Sequence, residues 1–202
     1  MTVLGRVDAA ALLLSLDPPP WAVRHACAVA DVAAWLGART AEHGVTVDRR
    51  LVEAAALLHD LDKLLPPDDP VHLLRHGDGS AAWLTARGLA ELGPVVADHP
   101  VTRLADGPAF GHWLATAGPE ARIVAYADKR AGQRLGPMRA RFGSWARRYP
   151  AAPGWDDATR AAIASRADAL ERDVCRSAGV EPADVRRLAW TRRALRAARG
   201  RA

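Results

Sequence analysis

Residues 53 to 63 read Glu-Ala-Ala-Ala-Leu-Leu-His-Asp-Leu-Asp-Lys. His59 and Asp60 stand side by side after an apolar run, and so offer an imidazole nitrogen and a carboxylate oxygen to one buried ion. On a helix, consecutive side chains diverge by about 100°, which lets such a doublet grip an ion from two sides. Lys63 follows His59 by four residues and Asp60 by three, on the same face one turn further along. An ammonium there repels a metal but attracts a phosphate bound to it. Burial of an unpaired aspartate is costly, so a buried doublet calls for a cation or strong hydrogen bonds.

The doublet gains weight only from its context. With 7 histidines in 202 residues and 17 aspartates beside them, chance alone supplies roughly 0.6 such doublets. His25 lies on the apolar side of Arg24-His-Ala-Cys-Ala-Val-Ala, and Asp128 is embedded in Ile123-Val-Ala-Tyr-Ala-Asp-Lys-Arg130. A lone histidine on an apolar face is usually a core residue, whereas a buried carboxylate is usually paired or metal-bound. Taken together, His25, His59, Asp60 and Asp128 are two imidazoles and two carboxylates. That set suits Mn, Fe, Co, Ni or Zn better than Mg. His76 and His99 fall in turn contexts between the doublet and Asp128; His72 and His112 read as unrelated loop histidines.

Arginine dominates the cations. Of 28 basic residues only Lys63 and Lys129 are lysine, and each lies within three residues of a proposed ligand. A compact ammonium is suited to a place where a planar guanidinium does not fit.

These residues need elements to hold them. Half of the chain is hydrophobic, rich in alanine and leucine and sparse in β-branched residues, which predicts an all-α fold. A short helix ends at Asp17-Pro-Pro-Pro20; a long one runs from Trp21 to Glu42, and Asp48 caps another that continues through Leu65 to Pro66-Pro67. Residues 66 to 78 read as a loop with a short helix inside it. Helices follow at Ser80 to Gly88 and from Val95 to His99, and 102 to 119 reads as a loop with at most one turn near His112. A helix from Glu120 to Tyr149, broken at Gly136-Pro137, leads to a linker over 150 to 154. Two helices, Asp156 to Ala178 and Glu181 to Arg199, complete the chain. The expected organisation is a bundle over 1–150 and a C-terminal helical pair over 151–202.

From Ala183 onward there are seven arginines against Asp184, more than the net charge of +5 of the whole chain. The body is therefore near neutral, and the Arg-rich last helix is a candidate nucleic-acid surface. More often such a helix packs by its apolar stripe, here Val185, Leu188 and Leu195 beside Trp190, and leaves its arginines solvated. Cys27 and Cys175 are far apart in sequence and read as reduced packing residues. No apolar run approaches the roughly 20 residues that span a bilayer, and the leucine-rich start between Asp8 and Asp17 lacks the marks of a signal peptide. The expected setting is cytoplasmic, with no membrane partner and an oligomeric state left open.

The order His25, then Leu-Leu-His-Asp-x-x-Lys over 57 to 63, then Ala127-Asp128-Lys129 resembles the HD-domain metal-dependent phosphohydrolase superfamily, from about Trp21 to Tyr149. The resemblance implies an HD helical bundle in which His25, His59, Asp60 and Asp128 bind one divalent metal. In branches with a second ion, His76 and His99 match the added ligands. The pattern is similar to the bacterial branch that hydrolyses diadenosine tetraphosphate symmetrically, and to small HD proteins with a Tyr-Ala-Asp-Lys-Arg segment. Two positions depart from it: Asp62 stands where many members have Gly, and Arg130-Ala-Gly-Gln-Arg134 stands where the dinucleotide branch often has an acid.

The implied activity is metal-assisted hydrolysis of a phosphate ester or anhydride, with a nucleotide or related small compound as substrate. Asp60 would orient or deprotonate the water, and Lys63, Lys129 and Arg134 would hold phosphoryl oxygens. The alternatives are a di-iron HD-type oxygenase with the same six ligands, and a non-catalytic nucleotide- or RNA-binding module.

Overall fold

The computed structural model describes residues 4–148 and 156–201, apart from the side chains of 144–148. Among the described residues it is all-helical, with ten α-helices and no strand. In chain order they are α1 (Arg6–Leu14), α2 (Pro20–Glu42), α3 (Arg49–Leu58), α4 (Asp78–Thr85), α5 (Gly93–Val96), α6 (Gly107–Thr116), α7 (Pro119–Arg130), α8 (Met138–Arg148), α9 (Asp157–Ala178) and α10 (Thr191–Arg199). None of them is long and apolar enough to cross a membrane.

The helices that carry the site pack on one another at the centre. α2 starts with Pro20, where the missing N–H is harmless, and buries Ala26, Ala30, Ala33 and Ala34. Asp48 caps α3, its Oδ1 accepting from the amides of Arg50 at 2.9 Å and Leu51 at 3.1 Å. α2, α3 and α7 pack against each other, α9 lies on α2 and α7, and α1 packs on α10 and α3. Their buried faces form one apolar cluster that runs from Ala9 to Ala198. The boundary expected near 150 falls on residues 149–155, outside the described residues, and so does the linker over 150 to 154.

Four elements differ from the sequence expectation. The helix predicted to reach Leu65 stops at Leu58; after a turn, Leu61–Leu64 form a 3₁₀ helix. The amide of Asp62 donates to Ser80 Oγ at 3.0 Å, which a continuing α-helix would not allow. The loop expected over 102 to 119 contains α6, whose cap is Asp106 with Oδ1 accepting from Ala109 N at 3.0 Å, and which buries Phe110. The long helix expected from Glu120 breaks after Arg130, earlier than Gly136-Pro137. There Arg130 Nε and Gly136 O meet at 2.8 Å, and Gly136 N and Arg130 O at 2.8 Å, closing a tight turn.

The fourth difference is at the C-terminus. Only Thr191–Arg199 is α-helical in the stretch expected as one helix from Glu181. Asp31 on α2 explains this: its carbonyl accepts from Leu188 N at 2.9 Å, and its carboxylate accepts from Thr191 N at 3.3 Å and pairs with Arg187 at 3.1 Å. Trp190 Nε1 donates to Ala30 O at 3.3 Å. Tertiary partners on α2 thus replace the bonds a helix would have made. α10 then buries Ala194, Leu195 and Ala198, and leaves Arg192, Arg193, Arg196 and Arg199 exposed.

Candidate metal centre

His25 projects from the first turns of α2, Asp128 from the end of α7, and His59-Asp60 from the end of α3. His25 Nε2 lies 3.3 Å from Asp128 Oδ1, 3.4 Å from Asp60 Oδ2 and 3.2 Å from His59 Nε2. His76, just before α4, and His99, just after α5, complete the cluster. Both place Nε2 3.2 Å from Asp60 Oδ1, and the two nitrogens are 3.2 Å apart. All six sequence-predicted ligands therefore converge, with Asp60 between His25 on one side and His76 and His99 on the other. Ligand atoms of His25, His59 and Asp128 lie within 4.8 Å of one another, as do those of His59, Asp60 and His99.

The orientation of the rings is as informative as their proximity. Each imidazole spends Nδ1 on an acceptor: His25 on Gly132 O at 2.6 Å, His59 on Ala56 O at 2.8 Å, His99 on Val96 O at 2.6 Å, and His76 on Asp62 Oδ2 at 2.9 Å. A proton held on Nδ1 leaves the lone pair on Nε2, the arrangement that orients histidine toward a metal. Four Nε2 atoms face inward in two pairs 3.2 Å apart. Lone pairs at that separation repel unless a positive charge lies between them. The donor set fits a cation.

The proton affinities agree. Burial works against a charge on His25, but its hydrogen bonds to the Asp128 and Asp60 carboxylates outweigh it and raise its pKa to about 9. His76 is likewise raised to about 9, burial being overcome by Asp60 and Asp62. Burial drives His59 down to about 3, against the pull of Asp60. Of the first pair, His25 thus favours the charged form and His59 the neutral one, at a place where a metal would supply the positive charge. Asp60 and Asp128 lie well below the ordinary carboxylate range, since the surrounding imidazoles overcome a burial that opposes their charge.

The chain around the doublet explains how Lys63 reaches it. In a 3₁₀ helix, residues i and i+3 eclipse, so Lys63 stands directly over Asp60, Nζ 2.9 Å from both carboxylate oxygens. With its side chain 43% exposed, Lys63 stands at the edge of the buried centre.

The other two expected cations are placed differently. Lys129 is 1% exposed, and its Nζ donates to His99 O at 2.6 Å and Ala125 O at 3.1 Å, holding the turn that carries His99. Arg134 is exposed on the turn between α7 and α8. The arginine that the tertiary structure brings to Asp128 is Arg141 on α8, with Nη2 3.6 Å from Oδ1. No sequence signal near Asp128 marks Arg141, because the α7–α8 turn decides its position.

Two roles were not legible beforehand. Asp62 is 5% exposed and takes both His76 Nδ1 and the Gly77 amide, each at 2.9 Å from Oδ2. Tyr126 and Arg130, within the Tyr-Ala-Asp-Lys-Arg segment, turn away from the centre: Tyr126 OH donates to Glu171 at 2.6 Å, and Arg130 reaches Glu171 and Pro182 O at 3.1 Å. They tie α7 to α9 and the C-terminal segment. His72 Nε2 donates to Pro66 O at 2.9 Å, outside the cluster. His112 is exposed on α6.

The fold and this cluster define an all-helical protein with a His/Asp centre able to hold a metal ion. Residues 22–132, more than half of the chain, match the HD domain, and the chain belongs to that family. HD domains bind divalent metals and generally act as metal-dependent hydrolases. Comparison with curated proteins and with solved structures returns no significant match.

Proposed function

We propose that the protein is a metal-dependent phosphohydrolase that cleaves a phosphoester or phosphoanhydride bond of a nucleotide or related small phosphate compound. The observation that carries this is the inward ring of four Nε2 atoms, each fixed by an Nδ1 hydrogen bond, around the carboxylates of Asp60 and Asp128. His25, His59, Asp60, His76, His99 and Asp128 would hold one or two divalent ions, which would supply Lewis acidity to phosphoryl oxygens and an acidified water. Nitrogen-rich coordination favours Mn, Fe, Co, Ni or Zn over Mg.

The chain's own groups do the rest. Asp60 has its two oxygens turned to different imidazoles, so it would contribute to both ends of the ligand set. A carboxylate held well below its usual range is a poor proton acceptor near neutrality, so Asp60 orients the water more than it deprotonates it. Lys63, at the exposed rim, can exchange part of its contact with Asp60 for a phosphoryl oxygen. Lys129 acts one step back, holding the His99 backbone. Arg141 offers a guanidinium on the Asp128 side for a second oxygen.

Metal analysis of the purified protein beside a screen of mononucleotides, symmetrical dinucleoside tetraphosphates and simple phosphate esters tests this reading. Bound transition metal with phosphate release that EDTA abolishes and Mn or Co restores is the expected result. A protein that stays inert after Mn, Co, Ni and Fe addition overturns it. Bound iron with an oxygen-dependent spectral change, and no hydrolysis under anaerobic Mn, would instead favour the oxygenase reading of the same six ligands.

A further inference from the structure

A cleft of about 810 Å³ opens beside the metal centre, and His76 belongs to both. His76 is also the most open of the six ligands: its side chain is 33% exposed, against 14% for Asp60 and less for the other four. A compound that reaches the centre through this cleft arrives at His76. The cleft is far larger than a phosphoryl group requires and lies within the roughly 300–1,000 Å³ of sites for whole small molecules. It therefore has room for the part of a substrate that does not react.

The composition of the cleft says what that part is. One wall is α6, which contributes Phe110, His112 and Trp113. The rings of Phe110 and Trp113 have centroids 6.0 Å apart and planes 36° apart, with Phe110 buried behind and Trp113 half-exposed. Phe110 thus packs against Trp113, whose half-exposed ring lines the cleft. The acids of the cleft are already engaged: Asp98 pairs with Arg103 at 3.3 Å, and Asp106 caps α6. Arg75, in contrast, has a side chain 77% exposed and pairs with Asp78 at 2.9 Å. It stands next to His76 in the chain and can reach an anion near it.

We infer that this cleft binds the aromatic portion of a phosphate compound, stacking a nucleobase-like ring on Trp113 while its phosphates pass Arg75 toward His76. This rests on the hydrolase reading of the metal centre and extends it by naming the wall that selects the substrate. Base–aromatic stacking tolerates different bases, because each presents a π-face.

Matched pairs of compounds test the inference: AMP against methyl phosphate, and ATP against tripolyphosphate, which differ by the nucleoside. Binding is measured by calorimetry on the Mn-loaded full chain, and hydrolysis by phosphate release. Expected is tighter binding of the nucleoside member of at least one pair, with Trp113→Ala shrinking that advantage on the order of tenfold and Trp113→Phe keeping most of it. Equal loss for both members of a pair would show a merely structural role and overturn the proposal, as would a lack of any nucleoside advantage in the native protein. If nucleotide binding depends on Trp113 but nothing is hydrolysed, the cleft stands and the hydrolase reading fails. If phosphate compounds are hydrolysed with no dependence on the ring, the reverse holds.

Discussion

Asp62 Oδ2 lies 2.9 Å from His76 Nδ1, and the same oxygen accepts from the Gly77 amide at 2.9 Å. A single carboxylate therefore sets both the tautomer of the His76 imidazole and the turn that delivers it. Removing a partner that orients a metal-bound histidine typically costs 10–100-fold in metal affinity or activity. Asp62→Ala should weaken metal binding at the His76 and His99 end by about that factor, measured by competition with a chromogenic chelator. Asp62→Asn keeps an acceptor oxygen and should recover part of the loss.

Gly77 has φ +89°, and a Cβ built on it would stand 2.3 Å from Ala97 O and 3.0 Å from Pro100. Neither the left-handed backbone nor the contact with another turn's carbonyl accepts a side chain. Strain of this kind costs about 1–3 kcal/mol before any clash is counted. Gly77→Ala should lower the midpoint of urea unfolding and reduce metal content together, since the displaced backbone belongs to the turn before His99.

Metal binding should release protons. Without a metal, His25 and His76 are raised to about 9 from an ordinary 6.5, so each still carries a proton that the ion must displace. Apparent affinity should therefore rise from pH 6 to about 9, and calorimetry in buffers of different ionisation enthalpy should detect the released protons. The linked effect on stability has the opposite direction. A raised histidine pKa stabilises the fold fully below 6.5 and loses that contribution as pH climbs through 9. The EDTA-treated protein should consequently lose thermal stability over that window, and the increment restored by Mn should grow.

Lys63 is the ammonium closest to the centre that also faces solvent. Lys63→Met should depress kcat on the order of a hundredfold while metal content stays near native, as read by phosphate release and by metal analysis. Lys63→Arg should rescue little, because a planar fork cannot reproduce a point charge over Asp60 from one 3₁₀ turn away.

Local order along the chain already marked most of the centre. An imidazole or carboxylate within apolar helical text is costly to bury without a partner, and the combination of His59, Asp60, His25 and Asp128, each weak alone, makes a ligand set. His76 and His99 came through resemblance to a family pattern, since their turns have no periodicity to read. The two lysines part company in the folded chain. Both lie beside ligands in sequence, yet Lys63 meets Asp60 whereas Lys129 is buried against the His99 carbonyl. Which way a side chain faces at the end of a helix depends on whether the next turn is α or 3₁₀, and the bond from Asp62 N to Ser80 decided that.

Similar reasons account for the elements that depart from the sequence expectation. Residues 107–116 lack a strong periodic signal but form α6, because the Asp106 cap and the burial of Phe110 support a helix there. Residues 185–190 have the composition of a helix but follow Asp31 and Ala30 on α2.

By itself the sequence determined an all-helical chain with a His/Asp set able to hold a metal, because composition, capping and the cost of burying charge act locally. The tertiary structure decided how those ligands are aimed. The acceptors for the Nδ1 protons of His25 and His76, the approach of Arg141 to Asp128 and the aromatic wall beside His76 are all contacts between segments. They depend on where helices pack and turns close, and no spacing along the chain encodes those distances.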